Sequence, residues 1–243
     1  MKVKTLLAAI IAASATVNAF AEDNTADVIQ TGTDQVASVT QGGTMLWGQV
    51  RQEGQANNAA VTQVGSEWNN ALVDQSGTAN QSAITQVDSS DTWAHTVQSG
   101  ETNLASVYQT GYYQDVLVTQ DGVANQAHLE QAGEFQKAVV DQSGTGNYTA
   151  LNQAGAANEA YITQNGAGNQ AYVNQEVFVN IADIDQDGEG NIAIVNHLGS
   201  YNVVDVVQAG IANVANVTQS SGMGDYASVM QSGTGNLAIV SQQ

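Results

Sequence analysis

The sequence contains no cysteine and no proline. Without cysteine the chain can form no disulfide, and it has no thiolate to act as a nucleophile or metal ligand. Without proline, no residue of the 243 removes a backbone N–H from a strand ladder. The two absences exclude disulfide-stabilised and cysteine-dependent classes of protein, and they suit long uninterrupted strands.

Basic residues are nearly as scarce as cysteine. Lysine and arginine number 4 against 23 carboxylates, and two of the four, Lys2 and Lys4, lie at the extreme N-terminus. Residues 22–243 keep only Arg51 and Lys137, so their formal charge is 2 − 23 = −21. A surface of that sign repels nucleic acid and anionic lipid. We therefore predict no nucleic-acid partner.

The first 21 residues have the features of a secretory signal peptide. Lys2 and Lys4 precede a short apolar stretch at residues 6–13, and Ala19-Phe20-Ala21 supplies the small-x-small pattern of a cleavage site. The apolar stretch is too short to span a bilayer. We predict a signal peptide at 1–21 and a secreted, extracellular repeat domain at 22–243.

A glutamine recurs every 11 residues through that domain. Of nineteen intervals between successive anchors, sixteen are 11 residues and three are 12. The longer steps, 63–75, 86–98 and 219–231, place the extra residue in a connection rich in Gly, Ser and Asp. The twenty anchors are Gln30, Gln41, Gln52, Gln63, Gln75, Gln86, Gln98, Gln109, Gln120, Gln131, Gln142, Gln153, Gln164, Gln175, Gln186, His197, Gln208, Gln219, Gln231 and Gln242.

Each unit reads Asn-x-Ala-x-Val-x-Gln-x-Gly. Two positions before the anchor, nineteen of twenty residues are Val, Ile or Leu, and Thr96 is the exception. Asn occupies the slot six before the anchor in fourteen units, and Gly the slot two after it in sixteen of nineteen. Alternation at every second residue is the period of a strand, and frequent glycine opposes the helical coiled coil that an 11-residue repeat can also form.

One such strand cannot bury its apolar face alone, so two consecutive units are expected to face each other in one coil. The fold class is then all-β, a β-solenoid of about ten two-strand coils with cross-β stacking. Stacked coils align equal slots, and a primary amide both donates and accepts, so buried rows of Asn and Gln can satisfy themselves. The predicted ladder core includes Asn57, Val61, Gln63, Asn147, Gln153, Asn169, Val173, Gln175, Asn213, Val217 and Gln219.

The first and last units are as regular as the others. Solenoids that remain monomeric usually carry atypical terminal repeats, whereas unpaired strand edges are templates for addition. We therefore expect polymerisation through two edges, formed by Asn24, Ala26, Val28 and Gln30 and by Asn236, Ala238, Val240 and Gln242.

The repeat resembles the curlin repeat of bacterial curli fimbriae, most clearly at Asn57-Asn-Ala-Ala-Val-Thr-Gln63-Val-Gly65 and at Asn213-Val-Ala-Asn-Val-Thr-Gln219. The resemblance covers essentially all of 22–243. It implies an extracellular functional amyloid of the biofilm matrix, which polymerises with itself and has a nucleator subunit and an outer-membrane secretion pore as partners. The strong acidity and the regular last unit favour the major fibre subunit over the minor nucleator.

Candidate chemical sites are few. His95 and His128 take outward strand positions, and His197 occupies a glutamine slot, so none has a predicted catalytic role. Asp183-Ile-Asp185-Gln-Asp187-Gly188 imitates the start of a calcium loop but has Ile194 where that loop needs a bidentate Glu. We expect no enzyme, cofactor, metal or small-molecule substrate. A monomeric adhesin or ice-binding solenoid remains the alternative function.

Overall fold

The computed structural model describes residues 2–5, 14–19, 23–220 and 224–243, and every regular element in those ranges is a strand. The first eleven strands are β1 (Lys2–Thr5), β2 (Ser14–Ala19), β3 (Thr25–Thr33), β4 (Val36–Thr44), β5 (Trp47–Gln55), β6 (Asn58–Glu67), β7 (Asn70–Thr78), β8 (Gln81–Val87), β9 (Trp93–Glu101), β10 (Leu104–Tyr112) and β11 (Asp115–Val123). The others are β12 (Gln126–Glu134), β13 (Lys137–Thr145), β14 (Tyr148–Ala156), β15 (Glu159–Ala167), β16 (Gln170–Gln175), β17 (Ile181–Glu189), β18 (Ile192–His197), β19 (Val203–Ile211), β20 (Val214–Gln219), β21 (Tyr226–Thr234) and β22 (Leu237–Gln242).

Odd and even strands form two separate parallel sheets of eleven strands each. We call the odd-numbered sheet sheet A and the even-numbered sheet sheet B. Each strand pairs in register with the strand one coil away, so that Gln120 of β11 is opposite Gln98 of β9 and Gln142 of β13. The predicted all-β solenoid of about ten turns, with two units per turn, is confirmed.

The core lies between the two sheets and is one side chain thick on each side. Alanine and aliphatic slots point inward from both sheets and form a single buried cluster along the axis. Thr96, the polar residue in an aliphatic slot, pairs its hydroxyl with that of Ser82 from the facing sheet at 2.6 Å. Because each hydroxyl satisfies the other, this departure from the repeat leaves no unpaired polar group in the core.

The strands are shifted toward the glycine relative to the alternating segment from the Asn slot to the glutamine slot. They begin one residue after the Asn slot, and most continue three residues beyond the glutamine, through the glycine. Gly122 has φ +115°, and a Cβ there would collide with the carbonyl of Gly144 one coil away. Because equivalent glycines bend in the same way in successive coils, parallel pairing continues around the corner.

A second left-handed residue completes most corners, directly before the Asn slot. Ala124, for example, has φ +58°, and several glycines share the position. The sequence analysis missed this residue because its identity varies among Ala, Asp, Gly and aromatic side chains, so no motif marks it. Left-handed φ at a non-glycine residue is uncommon, and repeating it at successive corners shows that the coil geometry imposes it.

The extra residue of a 12-residue step is visible in one corner. The register between β4 and β6 shifts after Gly42, which is opposite Val64, so that Gly43 is opposite Ser66. Gly65 is the inserted residue, as predicted for the 63–75 step. The 219–231 step includes residues 221–223, which lie outside the described part of the chain.

Two pieces of the predicted signal peptide lie along the first coil. Lys2–Thr5 pairs with Thr25–Val28 in sheet A, and Ser14–Ala19 pairs with Val36–Gln41 in sheet B. The cleavage of 1–21 and the domain boundary at 22 stay predictions. No helix in the described ranges is long and apolar enough to cross a membrane.

Candidate functional site

A continuous row of glutamine amides runs along the inside of sheet A. Each Nε2 donates to the Oε1 of the glutamine in the next coil at 2.7–2.8 Å. All nine bonds point the same way, from the N-terminal coil toward the C-terminal coil. The row consists of Gln30, Gln52, Gln75, Gln98, Gln120, Gln142, Gln164, Gln186, Gln208 and Gln231.

The same amides also connect the two sheets. Gln120 Nε2 donates a second hydrogen bond to the carbonyl of Leu104 in sheet B at 3.0 Å, and Gln142 Nε2 does the same to Gln126 at 2.9 Å. Both N–H groups of each internal glutamine are therefore used. A fully satisfied amide in a dry interior stabilises the fold, whereas an unpaired one is costly.

The corresponding row in sheet B is interrupted. From Gln41 to Gln175 the amides bond as in sheet A, at 2.8–3.0 Å. His197 then takes the slot, and its Nδ1 lies 3.4 Å from Gln175 Nε2. Within the described residues its Nε2 is buried without a partner, as is Oε1 of Gln219, the residue in register with it. The row resumes with Gln219 Nε2 donating to Gln242 Oε1 at 2.7 Å.

Asparagine rows work differently from the expected amide-to-amide stacking. Asn125 Oδ1 accepts the backbone N–H of Asn147 at 3.0 Å, and Asn147 Nδ2 donates to the carbonyls of Ser143 and Gly166. The shorter side chain reaches the main chain of the corner rather than the next amide, so asparagine satisfies the backbone where the strand ladder ends. Amide-to-amide bonds join Asn169, Asn191, Asn213 and Asn236 in addition.

Every residue of the predicted ladder core is buried, with side chains no more than 3% exposed. Asn57, Asn147, Asn169 and Asn213 begin units of sheet B, and the glutamine and valine members lie on its inner face. These side chains point inward, and their role as the ladder core of a fibre stays a prediction.

The amide rows end asymmetrically. Among the described residues, Oε1 of Gln30 and Oε1 of Gln41 are buried and have no donor. At the opposite end, the Nε2 groups of Gln231 and Gln242 each make one bond, to carbonyls on the facing sheet, where internal glutamines make two. One end of the solenoid therefore presents unpaired acceptors and the other presents unpaired donors.

The two predicted edges lie in different sheets. Ala26, Val28 and Gln30 belong to β3 of sheet A, whereas Ala238, Val240 and Gln242 belong to β22 of sheet B. An even number of units places the first and last on opposite sheets, so these two strands cannot pair with each other in a stack that preserves both sheets. The complementary edges are β4 and β21, which were not predicted because they depend on which units stack in each sheet.

Titratable groups do not converge on a chemical site. Burial lowers the pKa of His197 to about 4, so the imidazole is neutral in its slot. Asp183 and Asp185 point outward as predicted, and burial, Asp205 and Asp185 together raise the pKa of Asp183. In the part of the chain that is described, no three His, Asp or Glu side chains are placed to hold a metal ion.

A comparison with protein-family models gives a match. The family model described as "Curlin associated repeat" matches residues 144–176, a segment that includes β14, β15 and β16. Curated proteins gave no match. The match supports the resemblance to the curlin repeat over this segment, and the remaining units share its slots by their own sequence.

Proposed function

We propose that this chain is a structural subunit of an extracellular, curli-like amyloid fibre and polymerises end to end. The opposite polarity of the two ends carries the proposal. Buried acceptors at Gln30 and Gln41 are the groups that donors at Gln231 and Gln242 would satisfy in a neighbouring copy. Without residues 1–21 these acceptors are open to water, so each amide bond made across the join contributes a net of about 0.5–1.5 kcal/mol.

The join continues the coil without a change of register. β21 of one copy would lie beside β3 of the next in sheet A, and β22 beside β4 in sheet B. Gln231 would then donate to Gln30, and Gln242 to Gln41, as glutamines do in the internal coils away from His197. Strand edges add main-chain hydrogen bonds, and the alanine and valine slots of the two end coils meet. The fibre is polar, because the glutamine-to-glutamine bonds all point from the N-terminal coil toward the C-terminal coil.

Removal of residues 1–21 would free the edge of β3 and β4 for this join. The leader pairs with both strands, but its Ala19, in register with Gln41, brings no amide to the slot. We infer that the mature chain 22–243 is exported through an outer-membrane pore, assembles on a nucleator subunit and forms the bulk of a biofilm matrix fibre. Its acidity supports the major-subunit role.

A charge placed inside the terminal slot tests the join. Ala238→Arg puts a guanidinium on the inner face of β22, where it can reach solvent in a free monomer but would be enclosed in a stack. Ile239→Arg adds the same charge to the outer face of that strand, where the side chain is 71% exposed. Seeded growth of the mature chain would be followed by thioflavin-T fluorescence, and the product by fibre diffraction.

We expect the parent chain and Ile239→Arg to extend seeds and to give reflections near 4.7 and 10 Å. Ala238→Arg should retain β-rich circular dichroism and extend seeds at least about tenfold more slowly, since burying an unpaired charge costs several kcal/mol. Equal growth by the two variants would contradict the join. A soluble parent monomer that never extends seeds would favour the monomeric binding solenoid.

A further inference from the structure

The outer faces of the two sheets differ sharply in charge. Each strand from β3 to β22 has three outward side chains between its Asn slot and its glutamine slot. Sheet B carries one carboxylate among them, Glu130, and no lysine or arginine. Sheet A carries both Arg51 and Lys137 and eight carboxylates, namely Asp27, Asp74, Asp115, Asp141, Glu159, Asp183, Asp185 and Asp205. Of the other 23 − 8 − 1 = 14 carboxylates, two precede β3, five lie in the connections and seven lie in the strands beyond the glutamine slot, where Glu67 and Glu134 belong to sheet B.

This segregation decides which surface two copies can bring together. At a formal charge of −21, mature chains repel each other, and a contact through sheet A would desolvate carboxylates with almost no cations opposite them. Outward residues of sheet B are mainly Ser, Thr, Asn, Gln, Ala, Ile and Tyr, which are uncharged and cost less to remove from water than carboxylates do. The face of sheet B is therefore where lateral contact costs least.

Sheet B is also large enough to hold two copies together. Ten strands at roughly 4.8 Å spacing, each with six residues at roughly 3.3 Å rise, give an area on the order of 950 Å². A specific interface typically buries about 800 Å² on each partner. Sheet faces pack about 10 Å apart, the second spacing of cross-β structure, so a pair of solenoids can meet in this way.

The outer face of sheet B has both a groove and projecting side chains. A groove of about 420 Å³ crosses the middle of the sheet, and its lining includes Ser106, Tyr108, Glu130, Ala150 and Tyr172. Both tyrosines are 38% exposed. Contact through a twofold axis requires that projection and hollow lie on one surface, since the same patch serves both partners. Here both are present on one face.

We propose that the outer face of sheet B is a lateral interface, through which two solenoids of this chain pair face to face. The inference rests on the proposed fibre in one respect. If the chain polymerises, the final form is a pair of filaments, and if it does not, the final form is a pair of monomers. It assigns sheet B to contact between copies and leaves the charged face of sheet A in solvent.

The absence of cysteine allows a direct test by single-cysteine cross-linking. Ala150→Cys lies in β14, at the middle of the face of sheet B, and Val139→Cys lies in β13, at the middle of the face of sheet A. Both positions are outward and half-buried. A bis-maleimide reaching about 10 Å matches the spacing of packed sheets. Axial neighbours cannot react, because ten coils separate equivalent residues by roughly 48 Å.

Cross-linking would be read by denaturing electrophoresis on fibres, and on soluble protein if no fibres form. Labelling with a single maleimide confirms that both thiols are reactive, and seeded growth checks each variant for assembly. We expect covalent dimers from Ala150→Cys at least fivefold in excess of those from Val139→Cys. If the variants extend seeds but form no cross-linked dimers, the interface is refuted and the fibre is not. If soluble protein forms cross-linked dimers but does not extend seeds, the fibre is refuted and the interface is not.

Three results would overturn the interface. Equal dimer yields at the two positions would show random collision, and excess at Val139→Cys would assign contact to sheet A. No dimer at either position, with reactive thiols, would show that copies do not pair through either face. That last result would leave sheet B available to another uncharged polymer, such as a neutral polysaccharide.

Discussion

The amide rows of the two sheets were built from the same repeat and differ in continuity. In sheet A, nine glutamine-to-glutamine bonds join ten residues without a gap. In sheet B, His197 replaces one glutamine, and Gln219 Oε1 is left without a donor among the described residues. The backbone register passes through His197 unchanged. Strand pairing and the amide row are therefore separable contributions to the same stack.

The difference shows what each glutamine contributes beyond its slot. An internal glutamine of sheet A is hydrogen-bonded to both neighbouring glutamines of its row and to a carbonyl of the facing sheet. Gln219, beside His197, lacks the amide donor that an internal glutamine of sheet A has, so replacing Gln219 removes fewer hydrogen bonds. If amide bonds stabilise the solenoid, removing an amide from the unbroken row should cost more than removing one beside the break.

The largest expected effect comes from Gln120→Met, which preserves side-chain length but removes the amide. It leaves Gln98 Nε2 short of an acceptor and Gln142 Oε1 without a donor, both in the buried interior. At about 1–3 kcal/mol for each unpaired group, the free energy of unfolding should fall by roughly 2–6 kcal/mol. Urea unfolding of the mature chain in an Ala238→Arg background, which we expect to stay monomeric, measures it.

Gln219→Met is the matched variant in the broken row. Its Oε1 already lacks a partner and its bond to Gln242 is only part-buried, so we expect a loss of about 1 kcal/mol or less. Equal losses for Gln120→Met and Gln219→Met would show that the continuity of the row contributes nothing measurable.

The next effect is the dependence of stability on pH that His197 confers on the broken row. Folding lowers the pKa of His197 from 6.5 to about 4, so the folded chain resists a proton that the unfolded chain accepts. The contribution of neutral His197 is therefore complete above pH 6.5 and falls as the pH is lowered toward 4. At 1.36 kcal/mol per unit, the loss approaches about 3 kcal/mol.

Burial also raises the pKa of Asp115 and of Asp183, so the effect of His197 is measured as a difference between two proteins. Urea midpoints of the parent and of His197→Gln, taken between pH 7.5 and 4, should diverge progressively below pH 6.5. Parallel curves for the two proteins would show that His197 takes up its proton equally in the folded and unfolded states.

A smaller effect than the pH dependence is the repair of the row at neutral pH. His197→Gln places an amide between Gln175 and Gln219, where it can accept from the first and donate to the second. Two well-made hydrogen bonds contribute about 0.5–1.5 kcal/mol each, so we expect stabilisation of roughly 1–3 kcal/mol. A lower urea midpoint for His197→Gln than for the parent at pH 7.5 would mean that the imidazole packs better than an amide.

Much of the candidate site was predictable from spacing alone. The inward slots of Asn57, Gln63 and Gln153 followed from the period and the parity, and all three are buried. The role of asparagine was predicted less well, because whether an amide reaches its neighbour or the main chain depends on side-chain length at a corner. The second left-handed corner residue had no signal, since residues of many types occupy it.

The sequence by itself determined the repeat, the alternation of inward and outward side chains and the two-sheet solenoid, because period and parity are properties of the order of residues. Only the tertiary structure decided the direction of the amide rows, the sheet to which each terminal unit belongs and the segregation of charge between outer faces. These depend on which units stack. A 22-residue coil brings every second unit together, and that long-range pairing is what turns equal repeats into two unequal faces and two unlike ends.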